Sequence, residues 1–256
     1  MPLTSPHTPL SVNGEWKGKT GLNLYADFVM ETDAVVGQVL EVIKESGIEE
    51  ETLIVFTSDN GCAPYIGVSD LEKQGHFPSG PLRGYKADAW EGGHRVPFIV
   101  RWPGVVEADS VSGQLVHQAD LLATFAEILG HQLPDNAGED SFSLLPLFKG
   151  SNTSVRETSV SCSIRGVPSV RKGDWKYIPA PGSGGWGKGG DQSQPHQLYN
   201  LASDIKESKN LASDQPECVA ELQALLETLI TKGRSTPGKR QNNDVKVRRH
   251  VPKASD

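Results

Sequence analysis

The chain has 256 residues, of which 36% are hydrophobic and 22% charged, a composition typical of a globular protein rather than a disordered one. A net charge of −7 argues against a general nucleic-acid binder, and no apolar run approaches the ~18 residues of a membrane-spanning helix. The first residues have neither a basic region nor an apolar stretch, so they do not form a signal peptide pattern.

The first part of the chain predicts an α/β unit. Residues 1–19 are rich in Pro, Ser and Thr and predict an extended loop. Residues 52–57 (TLIVFT) predict a strand buried on both faces, and residues 97–104 (PFIVRWPG) a second strand. A helix is predicted before the first strand, because residues on one face recur at 3.6-residue spacing, and it ends near Gly47. A helix followed by a buried strand favours a sheet with parallel strands. The residues of that helix face are Phe28, Thr32, Val35, Val36, Val39, Leu40 and Ile43.

The remaining segments predict a second, smaller unit. Residues 59–97 form a long Gly- and Pro-rich loop, which is usually functional or disordered. Residues 118–130 predict a helix with Leu121, Leu122, Phe125, Ile128 and Leu129 on one face, ended by Gly130. Further predicted elements are strands at 159–164, 168–178 (two, joined at 172–174) and 196–201, a glycine loop at 182–190, and a helix at 217–230.

These elements divide the chain into three predicted parts. Residues 1–150 form an α/β portion, and residues 151–232 a small antiparallel sheet with a packed helix. Residues 233–256 are rich in Lys and Arg and poor in apolar side chains, which predicts a disordered basic tail.

One strand end carries two oxygen-bearing side chains. Asp59 and Asn60 follow the first predicted strand directly and precede Gly61. Carboxylate and amide oxygens suit Ca²⁺ or Mg²⁺, and the C-terminal end of a parallel strand faces the crevice where α/β folds bind ligands. The same residues also form a good turn, so both interpretations stay open and the segment alone favours the turn.

The loop at 81–104 carries several side chains that are cationic or can become so. Cationic side chains on one loop suit an oxyanion such as sulfate or phosphate. The alternative, which composition favours, is that they pair at the surface with Asp88 and Glu91. His7, between prolines in SPHTPL, could donate a proton or contact an oxyanion, although a lone loop histidine is more often only solvated. The cations of the loop at 81–104 (PLRGYKADAWEGGHRVPFIVRWPG) are Arg83, Lys86, His94 and Arg95.

The order of these motifs resembles the sulfatase family, the arylsulfatase-like branch of the alkaline-phosphatase superfamily. The resemblance covers about residues 3–230 and implies an alkaline-phosphatase-like mixed or parallel sheet between helices. The matching segments are PHTP (6–9), YADFVMETDAVVGQVL (25–40), TLIVFTSDNG (52–61), the loop at 81–104, DLLATFAEIL (120–129), SFSLLPLFKG (141–150), GDWKYI (173–178) and QLYNLASDIKESKNLA (197–212).

The resemblance implies roles for four residues. Asp59 and Asn60 match a pair of metal ligands that usually hold Ca²⁺. Lys86 matches the lysine that contacts the sulfate, and His7 matches the histidine that binds sulfate and assists the leaving oxygen. His7 and Lys86 are therefore the predicted catalytic and sulfate-binding residues.

Three parts of the family pattern have no match in this sequence: the C/S-x-P-S/A-R motif whose Cys or Ser becomes formylglycine, an Asp-Asp pair that completes the metal site, and a Lys/His pair near the nucleophile. Cys62 begins a Cys-x-Pro, but Ile66 stands where Arg is needed. Ser79 and Arg83 have the bare motif spacing, but Leu82 replaces the small residue, so both matches are read as coincidence. The sequence therefore resembles the C-terminal portion of the family only.

The expected function is hydrolysis of sulfate esters, with the chain alone expected to be inactive because it lacks the nucleophile. The expected cofactors are Ca²⁺, completed by ligands from elsewhere, and a formylglycine in the missing half. The expected partners are a sulfated small molecule or carbohydrate and the missing half in trans. The family favours a periplasmic or secreted location. Alternatives are a non-catalytic Ca²⁺- or oxyanion-binding module and a phosphatase or phosphonate hydrolase of the same superfamily.

Overall fold

The computed structural model describes residues 1–247. The helices are α1 (Leu24–Glu45), α2 (Val68–Lys73), α3 (Glu91–His94), α4 (Asp120–Ile128), α5 (Leu145–Phe148) and α6 (Pro216–Lys232). The strands are β1 (Ile54–Thr57), β2 (Phe98–Arg101), β3 (Thr158–Cys162), β4 (Pro168–Lys172), β5 (Trp175–Ile178) and β6 (Gln197–Asn200).

The two long helices predicted in the first 150 residues are confirmed, and the residues of their predicted apolar faces are half-buried or exposed rather than buried. The α1 helix begins where Asn23 Oδ1 accepts a hydrogen bond from Ala26 N, and it ends just before Gly47, whose φ is +69°. Its fully buried residues are Ala26, Asp27 and Glu31, which lie near its N-terminus. On α4 the predicted face is also uncovered, with 50%, 42% and 80% exposure at Leu122, Phe125 and Leu129.

The strand pair of this part differs from the prediction. β1 pairs with β2 in the antiparallel direction, with Val55 opposite Val100. The parallel arrangement favoured by the helix–strand order is not found for this pair, and the burial predicted for both faces of β1 is wrong, since Phe56 is 39% exposed. On β2, Ile99 is 60% exposed. A β-branched run identifies a strand, but it specifies neither the direction nor the coverage of its neighbours.

The small antiparallel sheet predicted after residue 150 is confirmed. Its strand order is β3-β4-β5-β6, and every neighbouring pair is antiparallel. Side chains alternate between two covered faces, as the pleat requires. One face packs on α6, through Val170, Tyr177, Leu198, Leu222 and Leu226.

The other face of this sheet packs on the Gly-rich loop of the first part. Trp90 is 1% exposed and lies with Ile178 and Tyr199 in one apolar cluster. Residues from both sides of the predicted boundary at residue 150 therefore share one buried cluster. The loop at 81–95, which carries the candidate cations, is fixed by the second sheet.

The first part of the predicted disordered tail is tied to the body. Arg234 is 7% exposed and donates to Asp135 O and Asp135 Oδ1, both at 2.9 Å. Asn243 Nδ2 donates to Ile230 O. Residues 233–243 thus differ from the predicted disordered tail, while residues 248–256 lie outside the described residues.

Candidate functional site

Two loops meet where the sequence predicts the site. Gly61 N donates to Gly93 O at 3.0 Å, and Lys86 N donates to Cys62 O at 2.8 Å. A Cβ atom on Gly61 would lie 1.8 Å from Gly92 O, so the backbones approach more closely than any side chain allows. This contact holds the Asp59-Asn60 turn beside the loop that carries Lys86.

Gly61→Ala should therefore loosen the junction between the two loops. We expect the free energy of unfolding to fall by about 1–3 kcal/mol, because backbone must move to admit the methyl group. Urea denaturation measures this loss. Gly37→Ala is the matched control: nothing lies within 4 Å of its added Cβ, and alanine stabilises a helix interior by about 0.5–1 kcal/mol. Equal stability changes in the two variants would contradict the close contact.

The predicted ligand atoms at this junction are free. Within residues 1–247, the Asp59 and Asn60 side chains make neither a hydrogen bond nor an ion pair. Lys86 is half-buried, and its ammonium also lacks a partner in this part of the chain. A half-buried ammonium without a carboxylate is suited to an anion from outside the protein.

Two other cationic side chains of the loop, Arg83 and Arg95, make contacts within the fold. Arg83 lies over the Trp90 ring, 3.8 Å from its centroid, and donates to Tyr199 Oη and Glu207 O. Arg95 Nη1 donates to Glu91 Oε2 at 3.3 Å. The interpretation as charge pairing is thus correct for Arg95, but it does not describe Lys86.

A buried ion cluster lies beneath this loop. Lys176, which is 1% exposed on β5, places Nζ 2.9 Å from both Glu91 Oε1 and Glu207 Oε1. The contact with Glu207 is close enough for an ion pair but is not aligned as a hydrogen bond. Glu207 Oε2 also accepts a hydrogen bond from Glu91 N at 2.7 Å. The cluster joins α3, β5 and the segment after β6, and sequence reasoning did not find it.

Burial and the Lys176 ammonium shift the pKa values of Glu91, Glu207 and His94. Burial is the largest single influence on Glu91 and by itself raises its pKa, but the charges of Lys176, His94 and Arg95 and the hydrogen bond from Lys176 together lower that pKa to about 2. Burial raises the pKa of Glu207, and Lys176 offsets this only in part. Burial and the charge of Lys176 together lower the pKa of His94 to about 4. His94 is therefore neutral near pH 7, with Nε2 3.2 Å from Lys176 Nζ.

This neutral His94 should give the fold a specific acid sensitivity. Its folded pKa of about 4 lies below its ordinary value of 6.5, so between these pH values the unfolded chain binds the extra proton. Stability should fall as pH drops from 6.5 toward 4, by at most about 1.4 kcal/mol per pH unit from this group. Urea unfolding at several pH values should show a shallower slope for His94→Gln. The same slope in His94→Gln and wild type, or an equal change in the exposed-residue control His76→Gln, would contradict this account.

His7 lies apart from this junction. Its Nδ1 donates to Thr8 O at 2.6 Å, and its segment is tied to α1 through Thr32 Oγ1, which donates to Ser5 Oγ at 2.9 Å. Across residues 1–247, no hydrogen bond joins the His7 side chain to Asp59, Asn60 or Lys86. The structure thus places the backbone that follows Asp59 and Asn60 against the loop that carries Lys86, and leaves His7 exposed on the N-terminal loop.

The donor set at the junction fits Ca²⁺ in kind but not in number. Asp59 and Asn60 supply hard oxygen atoms, whereas Ca²⁺ takes about 6–8 oxygen ligands. In the described part of the chain, no three His, Cys, Asp or Glu side chains are grouped so that they could hold a metal ion. A cleft of about 710 Å³ begins at Asp59 and extends toward His94 and Lys176. None of Asn60, Lys86 and His7, all described residues, lines it.

Comparison with known proteins gives the family. A family model described as Sulfatase matches residues 2–131. The N-acetylgalactosamine-6-O-sulfatase of Bacteroides thetaiotaomicron is 35% identical over 234 residues, which cover 88% of this chain and 45% of that protein. Arylsulfatase A of Homo sapiens is 32% identical over 243 residues, which cover 88% of this chain and 46% of that protein.

A solved structure agrees with the sequence comparisons. It comes from work on glycosaminoglycan metabolism by Bacteroides thetaiotaomicron, and it matches with a TM-score of 0.79 at 33% identity, over 89% of this chain and 48% of that one. The chain belongs to the sulfatase family, and its α/β fold is alkaline-phosphatase-like. It spans about half the length of these relatives.

Proposed function

We propose that this chain supplies part of the active site of a sulfuric ester hydrolase. The observation that carries the proposal is the half-buried Lys86 ammonium, which lacks a carboxylate partner in residues 1–247 and lies in a loop bonded to the Asp59-Asn60 turn. Lys86 binds a sulfate oxygen and neutralises the charge that develops there. Asp59 and Asn60 provide metal ligands, and His7 assists protonation of the leaving oxygen.

A cation held by Asp59 and Asn60 would polarise the sulfate oxygens when bound. The remaining metal ligands and the formylglycine nucleophile come, in this proposal, from sulfatase sequence that this chain does not contain. Two observations support it: the chain spans less than half of each compared relative, and its two free ligand side chains are too few for Ca²⁺.

The exposed apolar surface of the first part fits the same proposal. Residues on α1, β1 and β2 that would ordinarily be buried face outward, and a polypeptide carrying the rest of a sulfatase fold is the occupant that fits them. It belongs to the same gene product or acts as a separate chain in trans. These exposed residues include Val29 (42%), Val42 (59%), Phe56 (39%) and Ile99 (60%).

The proposed substrate class is a sulfated carbohydrate or small molecule. The relatives named above are an N-acetylgalactosamine-6-O-sulfatase and an arylsulfatase A, which supports a sulfate ester without selecting its alcohol. A periplasmic or secreted location stays a prediction from the family. Across residues 1–247, no helix is both long and apolar enough to cross a bilayer.

Phosphate ester hydrolysis is the alternative that one observation keeps open. A lysine ammonium is a point charge and contacts a tetrahedral sulfate or phosphate equally well. Parallel assays of an aryl sulfate and an aryl phosphate on the complete gene product decide between them. We expect turnover of the sulfate, reduced about 10²–10³-fold by Lys86→Ala.

The surface variant Lys73→Ala is the matched control for that assay. Lys73 pairs with Asp70 in an exposed contact, so its loss should leave turnover unchanged. Faster turnover of the phosphate, or full sulfate turnover by Lys86→Ala, would overturn the proposal. The DNA upstream of Met1 gives a second test of the proposal. An in-frame Cys-x-Pro-Ser-Arg there would supply the nucleophile that the proposal requires. An unrelated gene with its own stop codon would oppose the proposal.

A further inference from the structure

The glycine loop at 182–190 packs directly on the Lys86 loop. Gly187 N donates to Asp88 Oδ1 at 2.7 Å, and Ala89 N donates to Ser183 O at 2.9 Å. A Cβ atom on Gly185 would lie 2.3 Å from Ala87 O. Glycine is therefore needed at 185 for the close approach, and the approach fixes the position of the next residue, Trp186.

Trp186 meets a second aromatic ring from the other loop of the site. Its ring centroid lies 5.9 Å from that of Tyr65, with 52° between the ring planes. Tyr65 belongs to a short 3₁₀ turn that begins two residues after Cys62, whose carbonyl accepts the Lys86 N–H. The two rings thus come from segments that are each hydrogen-bonded to the loop of Lys86.

Both rings remain open to solvent. Trp186 is 41% exposed and Tyr65 53% exposed, whereas Trp90 in the same loop system is 1% exposed. Neither ring belongs to the buried clusters that hold the fold together. A tilted pair of exposed aromatic rings, held by glycine backbone on one side, presents an apolar surface with polar edges.

We propose that Tyr65 and Trp186 form a stacking platform for the sugar ring that carries the sulfate ester. A pyranose ring has an apolar face of C–H bonds and a polar rim of hydroxyl groups, which matches exposed aromatic rings on segments hydrogen-bonded to the loop of Lys86. Lys86 then receives the sulfate, and the platform receives the ring that bears it. This inference rests on the proposed function and adds its substrate class and two specificity residues.

Calorimetric titration of the chain with two probes tests the platform. Inorganic sulfate reports on the oxyanion contact alone, and N-acetylgalactosamine 6-sulfate reports on the contact and the platform together. We expect the sugar sulfate to bind about 5- to 10-fold more tightly than sulfate, in line with the strength of aromatic contacts. Trp186→Ala or Tyr65→Ala should remove that difference, while Trp186→Phe should keep most of it.

Two controls separate this inference from the proposed function. Trp16→Ala removes a tryptophan that packs with Lys19 elsewhere, and it should preserve the preference for the sugar sulfate. Lys86→Ala should abolish binding of both probes. If sulfate binds but the sugar sulfate binds no better, or if the preference survives Trp186→Ala and Tyr65→Ala, the platform is wrong and the oxyanion site stands. If neither probe binds, both proposals fail.

Discussion

We expect Lys176→Met to lower the free energy of unfolding by about 3–5 kcal/mol at pH 7, a large fraction of the stability of a domain. The substitution keeps most of the side-chain volume and removes only the ammonium. Glu91 and Glu207 would then face each other, both buried, without the charge that lies 2.9 Å from each of them. Urea denaturation monitored by circular dichroism measures the loss.

A second lysine of the same sheet is the matched control for this prediction. Lys172 on β4 pairs with Glu221, but both side chains are exposed, so Lys172→Met should cost less than about 1 kcal/mol. Adding Glu207→Gln to Lys176→Met should recover part of the lost stability, because one of the two uncompensated carboxylates is removed. Similar losses for the two lysine variants would show that the buried cluster does not hold the sheet to the loop.

Trp90→Ala should cost about 3–5 kcal/mol, since Trp90 fills the core between the Lys86 loop and the second sheet. The indole packs with Ile178 and Tyr199, lies under Arg83 and donates from Nε1 to Gln197 Oε1 at 2.9 Å. Its loss should also free the loop, so amide hydrogen exchange should quicken at residues 83–95.

The exposed Trp186 gives the comparison for this variant. Trp186→Ala removes the same side chain from a site that is 41% exposed, so a loss of less than about 1 kcal/mol is expected. The exchange rates at 83–95 separate the two roles further, since only the buried tryptophan reaches the core. An equal loss of stability in both variants, or unchanged amide exchange at residues 83–95 in Trp90→Ala, would contradict the packing of Trp90 in the core.

Local patterns predicted the secondary structure well where periodicity was clear. The α1 helix follows from its 3.6-residue spacing, and β4 and β5 follow from short β-branched or aromatic runs around Gly173, whose φ is +55°. Such features are local, because backbone hydrogen bonding and turn geometry depend on neighbouring residues.

Relations between distant segments were not predictable from these patterns. The antiparallel pairing of β1 with β2 depends on the whole sheet, and the burial of Lys176 depends on carboxylates from two other segments. One sign was present in the sequence: Lys176 lies between Trp175 and Tyr177 in a short strand, a charged position amid apolar neighbours. Its partners, however, lie 85 residues before it (Glu91) and 31 residues after it (Glu207) in the chain.

The arrangement of the candidate site also depends on a contact between segments that are distant in the sequence. The proximity of the Asp59 turn to the Lys86 loop follows from the contact of Gly61 with Gly92 and Gly93, a backbone approach that the glycines allow. Motif order indicated the residues, and the structure gives a physical reason for their proximity. The ligand roles of Asp59, Asn60, Lys86 and His7 remain predictions.

We propose that this chain carries part of a metal and sulfate site rather than a complete one. Calorimetric titration of the isolated chain with Ca²⁺, alongside Asp59→Ala, tests it most directly. Two protein ligands predict weak binding, with a dissociation constant of about 1 mM or above, that Asp59→Ala abolishes. Binding in the micromolar range that is lost in Asp59→Ala would instead establish an autonomous Ca²⁺-binding module. Binding that Asp59→Ala leaves unchanged would contradict the assignment of the site itself.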